Sequence, residues 1–180
     1  MDNKQRRSLR LKDYDYASCG AYFVTACVQD RKCLFGDIKN DEMHMSPIGK
    51  IIHEQWHAIP QRFPAVKLDA FVVMPDHIHG ILLIDTDIQT IARVVPTVGD
   101  VMGAYKSLCA HHCLAWVKQN QPGRILGKLW QRNFYEHVVR DEDDLLQIQE
   151  YIVNNPLQWN GGDHEDPGDR NGCLYKSWQS

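Results

Sequence analysis

The hydrophobic positions of this chain change their period from one segment to the next. Short runs rich in β-branched and aromatic residues, bounded by turn-forming residues, are typical of strands. Two of these runs are joined by a tight turn around Pro75 and Asp76. Four segments of this kind predict four strands, at residues 21–28, 68–74, 75–84 and 130–140.

Three other segments carry apolar residues at helical spacing. The segment SPIGKIIHEQWHAIPQRF, residues 46–63, offers Ser46 as an N-cap and Pro47 at the first helical position. Residues 98–120 predict a long amphipathic helix that the following QPGRILGK breaks. Residues 141–155 predict a last helix, whose acidic start suits the positive end of the helix dipole.

The resulting order β-α-β-β-α-β-α predicts an α+β, ferredoxin-like fold. This is a split βαβ antiparallel sheet with helices on one face and an added C-terminal helix. In the usual strand order, the first and third strands lie in the middle of the sheet. The 180 residues, 43% of them hydrophobic, predict one domain over residues 1–160. Its N-terminal arm is basic, and we expect the turn-rich tail at 161–180 to be loosely structured.

Two histidines interrupt the third predicted strand. Side chains alternate along a strand, so His77 and His79 share one face about 7 Å apart, and Ile78 faces the other way. Paired histidines can also be hydrogen-bonded core residues or lie on a solvated sheet face. Because imidazole is the commonest metal ligand and the strand is otherwise apolar, we favour a metal or phosphate site. A third ligand must then come from elsewhere in the chain.

Two tyrosines are candidate partners of the histidine pair. Tyr135 lies on the fourth predicted strand, whereas Tyr151 and Asn155 are four residues apart on one face of the last helix. If that helix crosses the sheet, it can bring a phenol hydroxyl and an amide oxygen to the histidines. Two imidazoles and an amide oxygen suit Mg²⁺ or Mn²⁺ and do not exclude zinc. The alternatives are that Tyr151 is a packed helix residue and Asn155 a helix C-cap.

The net charge of −3 conceals an uneven distribution. Residues 1–12 hold five Lys or Arg against one Asp, and residues 101–140 hold six against Glu136 alone. Such segments can form a basic, nucleic-acid-binding surface on a mildly acidic protein. The alternative is that these charges are scattered and solvated.

The remaining composition favours a cytoplasmic protein with reduced thiols. The N-terminal segment has no apolar signal region, and no run approaches 18 apolar residues. The six cysteines show no small-scaffold framework. Cys109, His112 and Cys113 would share a helix face and could form a metal cluster, but we favour core packing, since buried cysteines behave as small hydrophobes.

Five motifs follow one another along the chain: LRLKDYDYASCGAYFVTACVQDRKCLF, VVMPDHIHGILLI, GAYKS, LWQRNFYEHVVRDEDDL and YIVNNPLQW. Together and in this order, they resemble the motifs of the REP-associated tyrosine transposases, in the single-tyrosine branch of the HUH (His-hydrophobe-His) endonucleases. The resemblance implies that His77 and His79 form the metal-binding pair, that Tyr151 is the nucleophile and that Asn155 completes the metal site.

The resemblance also implies a function. The protein would use Mg²⁺ or Mn²⁺ to cleave and rejoin single-stranded DNA near hairpins of repetitive extragenic palindromes, through a 5′-phosphotyrosine. No nucleotide cofactor is expected, since the sequence lacks GxxxxGK[ST]. It would act as a monomer or homodimer. The basic segments would contact the hairpin, and the candidate residues are Arg6, Arg7, Arg10, Lys12, Lys106, Arg132 and His137.

Two other functions remain open from the residues. One is a hairpin-binding protein without catalysis, which would bind DNA and form no covalent adduct. The other is a metal-dependent phosphoesterase of small substrates, in which His137 or Asp76 would act as general acid or base.

Overall fold

The computed structural model describes residues 19–85 and 95–159. The predictions for the N-terminal arm, including Arg6, Arg7, Arg10 and Lys12, and for the tail at 161–180 lie outside these ranges. The described residues form strands β1 (Cys19–Cys27), β2 (Gly36–Lys39), β3 (Glu42–Met45), β4 (Val66–Val73), β5 (His77–Asp85) and β6 (Tyr135–Val138), and helices α1 (Pro47–His57), α2 (Ile59–Arg62), α3 (Val98–Asn120) and α4 (Glu142–Asn154).

Four strands form an antiparallel sheet in the order β4-β5-β1-β6. The two central strands are the first and third of the four, as the ferredoxin-like pattern predicts, so this part of the prediction is confirmed. The register of β1 against β5 pairs Thr25 with His79 and Cys27 with His77. The histidines therefore lie on a central strand, whereas β6, with Tyr135, is an edge strand.

The two faces of this sheet carry different helices. Val24, Ile78 and Leu82 belong to the larger core, which α1 and α3 cover. On the opposite face, Phe23 and Ile81 pack against the apolar side of α4. His77 and His79 alternate with Ile78 and so point to the α4 face. The added C-terminal helix therefore crosses the sheet on the face that carries the histidine pair.

The helices begin where the sequence predicts, and two details differ. Ser46 caps α1 by accepting a hydrogen bond from the Gly49 amide at 3.0 Å. The segment 46–63 is divided into α1 and α2, because Pro60 has no amide hydrogen with which to continue the helix. The hairpin β2–β3 was not predicted. It lies outside the main sheet and pairs its two strands only with each other among the described residues.

The CAHHC segment of α3 packs in the core, as favoured above. Cys109 and Cys113 are buried, and burial raises the pKa of the Cys113 thiol to about 12. His112 is exposed. Thiols with raised pKa values are poor metal ligands and poor nucleophiles. Among the helices that the structure describes, none is both long and apolar enough to span a membrane.

Candidate active site

His77 and His79 form a close, buried pair on β5. Their Nε2 atoms lie 3.0 Å apart, and His79 is fully buried. When two nitrogens bind the same ion at about 2.1 Å and the nitrogen–ion–nitrogen angle is close to a right angle, the nitrogens lie about 3 Å apart. The spacing therefore fits two neighbouring ligands of a single divalent ion.

The other ring nitrogen of each histidine contacts an oxygen. Nδ1 of His77 lies 2.6 Å from Oδ1 of Asp76, and Nδ1 of His79 lies 2.8 Å from the Thr25 hydroxyl. A carboxylate accepts hydrogen bonds, so this contact favours the His77 tautomer with its proton on Nδ1 and its lone pair on Nε2. Thr25 can hold His79 in the same tautomer. Two Nε2 lone pairs that face each other at 3.0 Å repel unless a proton or a cation lies between them. The donor set therefore fits a bound metal ion.

Tyr151 reaches this pair from α4. Its hydroxyl lies 3.2 Å from Nε2 of His79, and its ring lies edge-on to Phe23 with centroids 6.1 Å apart. Helix α4 is held over the sheet by buried Ile148 and by Gln149, whose amide donates to the Asp69 carboxylate at 2.7 Å. The Tyr151 hydroxyl, a candidate nucleophile, thus lies in one site with the two candidate metal-ligand nitrogens.

Asn155 follows Tyr151 by one helical turn, at the start of a 3₁₀ helix spanning Asn155–Gln158. Its side chain is buried and makes no hydrogen bond with other residues in the ranges 19–85 and 95–159. Those ranges hold no group of three His, Cys, Asp or Glu side chains that could bind a metal ion. A third protein ligand from the described residues would therefore be a side chain other than His, Cys, Asp or Glu. The amide of Asn155 is such a side chain. Its role as a ligand stays a prediction.

The candidate DNA-contacting residues in the described ranges differ in their surroundings. Arg132 is exposed. His137 is nearly buried on β6 and its Nε2 lies 2.8 Å from the Asp144 carboxylate, which ties β6 to α4. Lys106 donates to three backbone carbonyls, at 2.8 to 3.2 Å. Burial lowers the pKa of Lys106. These contacts give His137 and Lys106 structural roles, and their predicted contacts with DNA remain untested.

Sequence reasoning missed most of the polar residues around the histidines. Asp76 was expected mainly as a turn residue, yet it is fully buried and contacts His77. Arg31 lies with its Nε atom 3.1 Å from the second oxygen of Asp76. Thr25 is the cross-strand neighbour of His79. The only available signal was the acidic residue directly before the first histidine, since the other two require the strand register and the loop conformation.

The chain is similar in sequence to known proteins. No known family profile matches the chain. An uncharacterized protein of Haemophilus influenzae is 39% identical over 168 residues, covering 86% of this chain and 89% of that protein. A putative REP-associated tyrosine transposase of the same organism is 27% identical over 146 residues, covering 80% of this chain and 74% of that protein.

A solved structure shares the fold. It is that of a REP-associated tyrosine transposase bound to a REP hairpin, with a TM-score of 0.55 and 19% identity, covering 83% of this chain and 73% of that one. The fold and the relatives support an enzyme of the transposase or endonuclease kind. The chain is similar in sequence and fold to REP-associated tyrosine transposases.

Proposed function

We propose that this protein is a metal-dependent, single-strand DNA endonuclease and transposase that cleaves and rejoins DNA near REP-type hairpins. The observation that carries the proposal is the Tyr151 hydroxyl, 3.2 Å from Nε2 of His79 beside the second histidine. This arrangement combines a nucleophile with a pair of metal ligands. The hairpin bound in the solved structure of the related transposase supports the choice of substrate.

In the proposed reaction, Tyr151 attacks a DNA phosphate through its hydroxyl oxygen. A bond forms between that oxygen and phosphorus, and the bond from phosphorus to the 3′ oxygen breaks. The phenol loses a proton and the departing 3′ oxygen gains one, so the step is balanced. The product is a 5′-phosphotyrosine and a free 3′ hydroxyl. The phosphotyrosine conserves the phosphodiester energy, so a DNA 3′ hydroxyl can reverse the step and rejoin the strand without ATP.

The protein's residues provide the setting for this step. His77, His79 and the predicted ligand Asn155 would hold Mg²⁺ or Mn²⁺, which when bound stabilises negative charge on the phosphate and the leaving oxygen. Phe23 packs against the rings of both Tyr151 and His79, with centroids 6.1 and 5.4 Å away. This contact fixes the nucleophile relative to the metal-binding pair and removes conformational freedom that would slow attack.

The end-labelling pattern of the DNA tests the proposal. Single-stranded DNA containing a palindromic hairpin from the flanks of the gene is incubated with the protein and Mn²⁺, labelled at either the 5′ or the 3′ end. We expect the 3′ label to migrate with the protein on a denaturing gel and the 5′ label to appear on a shortened oligonucleotide. Cleavage with the 5′ label on the protein would overturn the proposed polarity.

The two alternative functions predict different results with hairpin DNA and with a model phosphoester. A hairpin-binding protein without catalysis retards the native DNA and yields no adduct in detergent. A small-substrate phosphoesterase releases phosphate from a model ester at a rate that hairpin DNA leaves unchanged. Either pattern would replace the proposal with that alternative.

A further inference from the structure

A buried polar chain runs from the surface to the histidine pair and takes no part in the reaction described above. Asp76 is fully buried, with one oxygen 2.6 Å from Nδ1 of His77 and the other 3.1 Å from Nε of Arg31. Arg31 is partly exposed, with 20% of its side chain accessible, and its Nη1 lies 2.7 Å from the Cys27 sulfur. The carboxylate thus bridges a guanidinium to an imidazole.

The backbone around this chain is arranged to present the guanidinium. The loop after β1 bonds to the turn before β5, from the Val28 amide to the Asp76 carbonyl at 2.8 Å. A second bond runs from the Phe35 amide to the Pro75 carbonyl at 2.9 Å. Asp30 and Arg31 have φ values of 59° and 53°, in the left-handed region that is unfavourable for residues with a Cβ atom. The fold accepts this strain at the residue that contacts Asp76.

We propose that Asp76 and Arg31 are positioning residues that hold His77 in the Nδ1-protonated tautomer, with Nε2 directed at the metal ion. The inference rests on the proposed function, because it assigns His77 as a metal ligand. Histidine ligands commonly donate their second ring nitrogen to a carboxylate, which fixes the ring and raises the basicity of the ligating nitrogen. Arg31 in turn compensates the charge of a carboxylate that has no contact with water.

The arrangement explains why both residues are needed. Without the Asp76 carboxylate, His77 can carry its proton on Nε2, and a nitrogen that carries a proton cannot bind a metal ion. Without Arg31, Asp76 is a buried charge with one polar partner fewer, which favours rotation of the carboxylate away from the ring. Either change increases the fraction of protein molecules in which His77 is not held in its metal-binding tautomer.

The test reads the tautomer of His77 in metal-free protein by ¹⁵N chemical shifts, and separately measures Mn²⁺ affinity by calorimetry. In Asp76→Asn we expect a new population with the proton on Nε2, and a loss of Mn²⁺ affinity of about 10- to 100-fold. Arg31→Met should change the tautomer population and the Mn²⁺ affinity in the same direction as Asp76→Asn, but by less. Arg31→Lys should bring both quantities part of the way back to their wild-type values. The Arg31 variants leave the buried carboxylate in place and keep the test valid if Asp76→Asn fails to fold.

A matched control is available on the same sheet. Asp144 forms a similar pair with His137, 2.8 Å apart, on edge strand β6. Asp144→Asn should leave the His77 tautomer and the Mn²⁺ affinity unchanged. A wild-type tautomer and affinity in the folded Asp76 and Arg31 variants would overturn the inference and leave the proposed function intact. If the wild-type protein binds no Mn²⁺, the proposed metal site is wrong. The His77 tautomer measured in the metal-free variants would still decide the roles of Asp76 and Arg31.

Discussion

The Tyr151 hydroxyl lies 3.2 Å from Nε2 of His79, although the two residues are 72 positions apart in the chain. The contact exists because α4 crosses the sheet face to which the histidines of the central strand β5 point. Tyr135, the other candidate nucleophile, lies on edge strand β6 and packs among the apolar residues beneath α4. The geometry therefore favours Tyr151 as the nucleophile.

The metal site should depend on both histidines of β5. We expect His77→Ala and His79→Ala each to weaken Mn²⁺ binding by more than about 100-fold, since removing a hydrogen-bond partner behind a ligand alone costs 10- to 100-fold. Calorimetric titration measures this. Either variant binding one Mn²⁺ per chain with wild-type affinity would remove these residues from the site.

A second histidine pair must be controlled for in that titration. His53 and His57 on α1 have Nε2 atoms 3.2 Å apart, and α1 lies on the opposite face of the sheet. A titration of His53→Ala separates ions bound there from those bound at β5. We expect this variant to keep the high-affinity Mn²⁺ site and its DNA-cleaving activity.

Gly80 should be essential for the packing of the strand that carries the histidines. A Cβ atom at this position would overlap the indole of Trp56, which is fully buried and stacked on Phe71 with centroids 4.5 Å apart. We expect Gly80→Ala to lower the free energy of unfolding by about 1–3 kcal/mol, measured by urea denaturation. Gly103→Ala, in a helix with nothing within 4 Å of the added Cβ, should be neutral or stabilising. Equal stability of the Gly80 variant and wild type would contradict this packing.

Much of the fold follows from local sequence signals. These signals each act within a few residues. They are the Ser46–Pro47 start of α1, the alternation of side chains around His77 and His79, and the acidic start of α4. The order of these elements matched a known topology, which then placed the histidines on a central strand. The sequence indicated only that α4 could cross the sheet. Hydrophobic periodicity shows which face of a helix is apolar, but it does not show which element that face packs against.

The parts that were missed depend on contacts between distant segments. The ion pair of Arg31 with Asp76 forms in a short loop where both Asp30 and Arg31 are left-handed, and an arginine does not indicate that conformation. Lys106 was predicted to contact DNA from its charge. Its charge did not indicate that the ammonium donates to three carbonyls of the segment 131–133, which lies 25 to 27 residues away in sequence.

Lys106 should therefore contribute to stability. Lys106→Met keeps the aliphatic stem and removes three donors, so we expect the free energy of unfolding to fall by roughly 1–3 kcal/mol. Lys118→Met, at an exposed position of the same helix, is the control and should change stability little. Wild-type stability combined with weaker hairpin binding would instead support the predicted role of Lys106 in binding DNA.

The basic N-terminal arm should contribute electrostatic affinity for DNA. Changing Arg6, Arg7 and Arg10 to Gln should weaken hairpin binding, because fewer counterions are released when the protein binds. The slope of log K against log salt should fall by roughly 0.7 for each single-strand phosphate that the variant no longer neutralises. Lys50→Gln, exposed on α1, should leave the slope unchanged. Wild-type affinity and salt slope in the triple variant would exclude the arm from the interface.

The identity of the nucleophile is the central claim, and conservative substitutions separate the two tyrosines. Tyr151→Phe removes only the attacking oxygen, so we expect normal hairpin binding and no adduct that survives detergent. Tyr135→Phe should still form the adduct. Wild-type levels of adduct in Tyr151→Phe would argue against the assignment, but the attached residue is identified most directly by mapping the adduct itself.

Peptide mapping of the wild-type adduct is that measurement. Trypsin separates the two tyrosines, because cleavage after Arg132, Arg140 and Arg170 places Tyr135 on residues 133–140 and Tyr151 on residues 141–170. Mass spectrometry of the fragments locates the attached nucleotide. We predict that it lies on Tyr151, within residues 141–170. A nucleotide on the fragment that ends at Arg140 would contradict the assignment of Tyr151 as nucleophile.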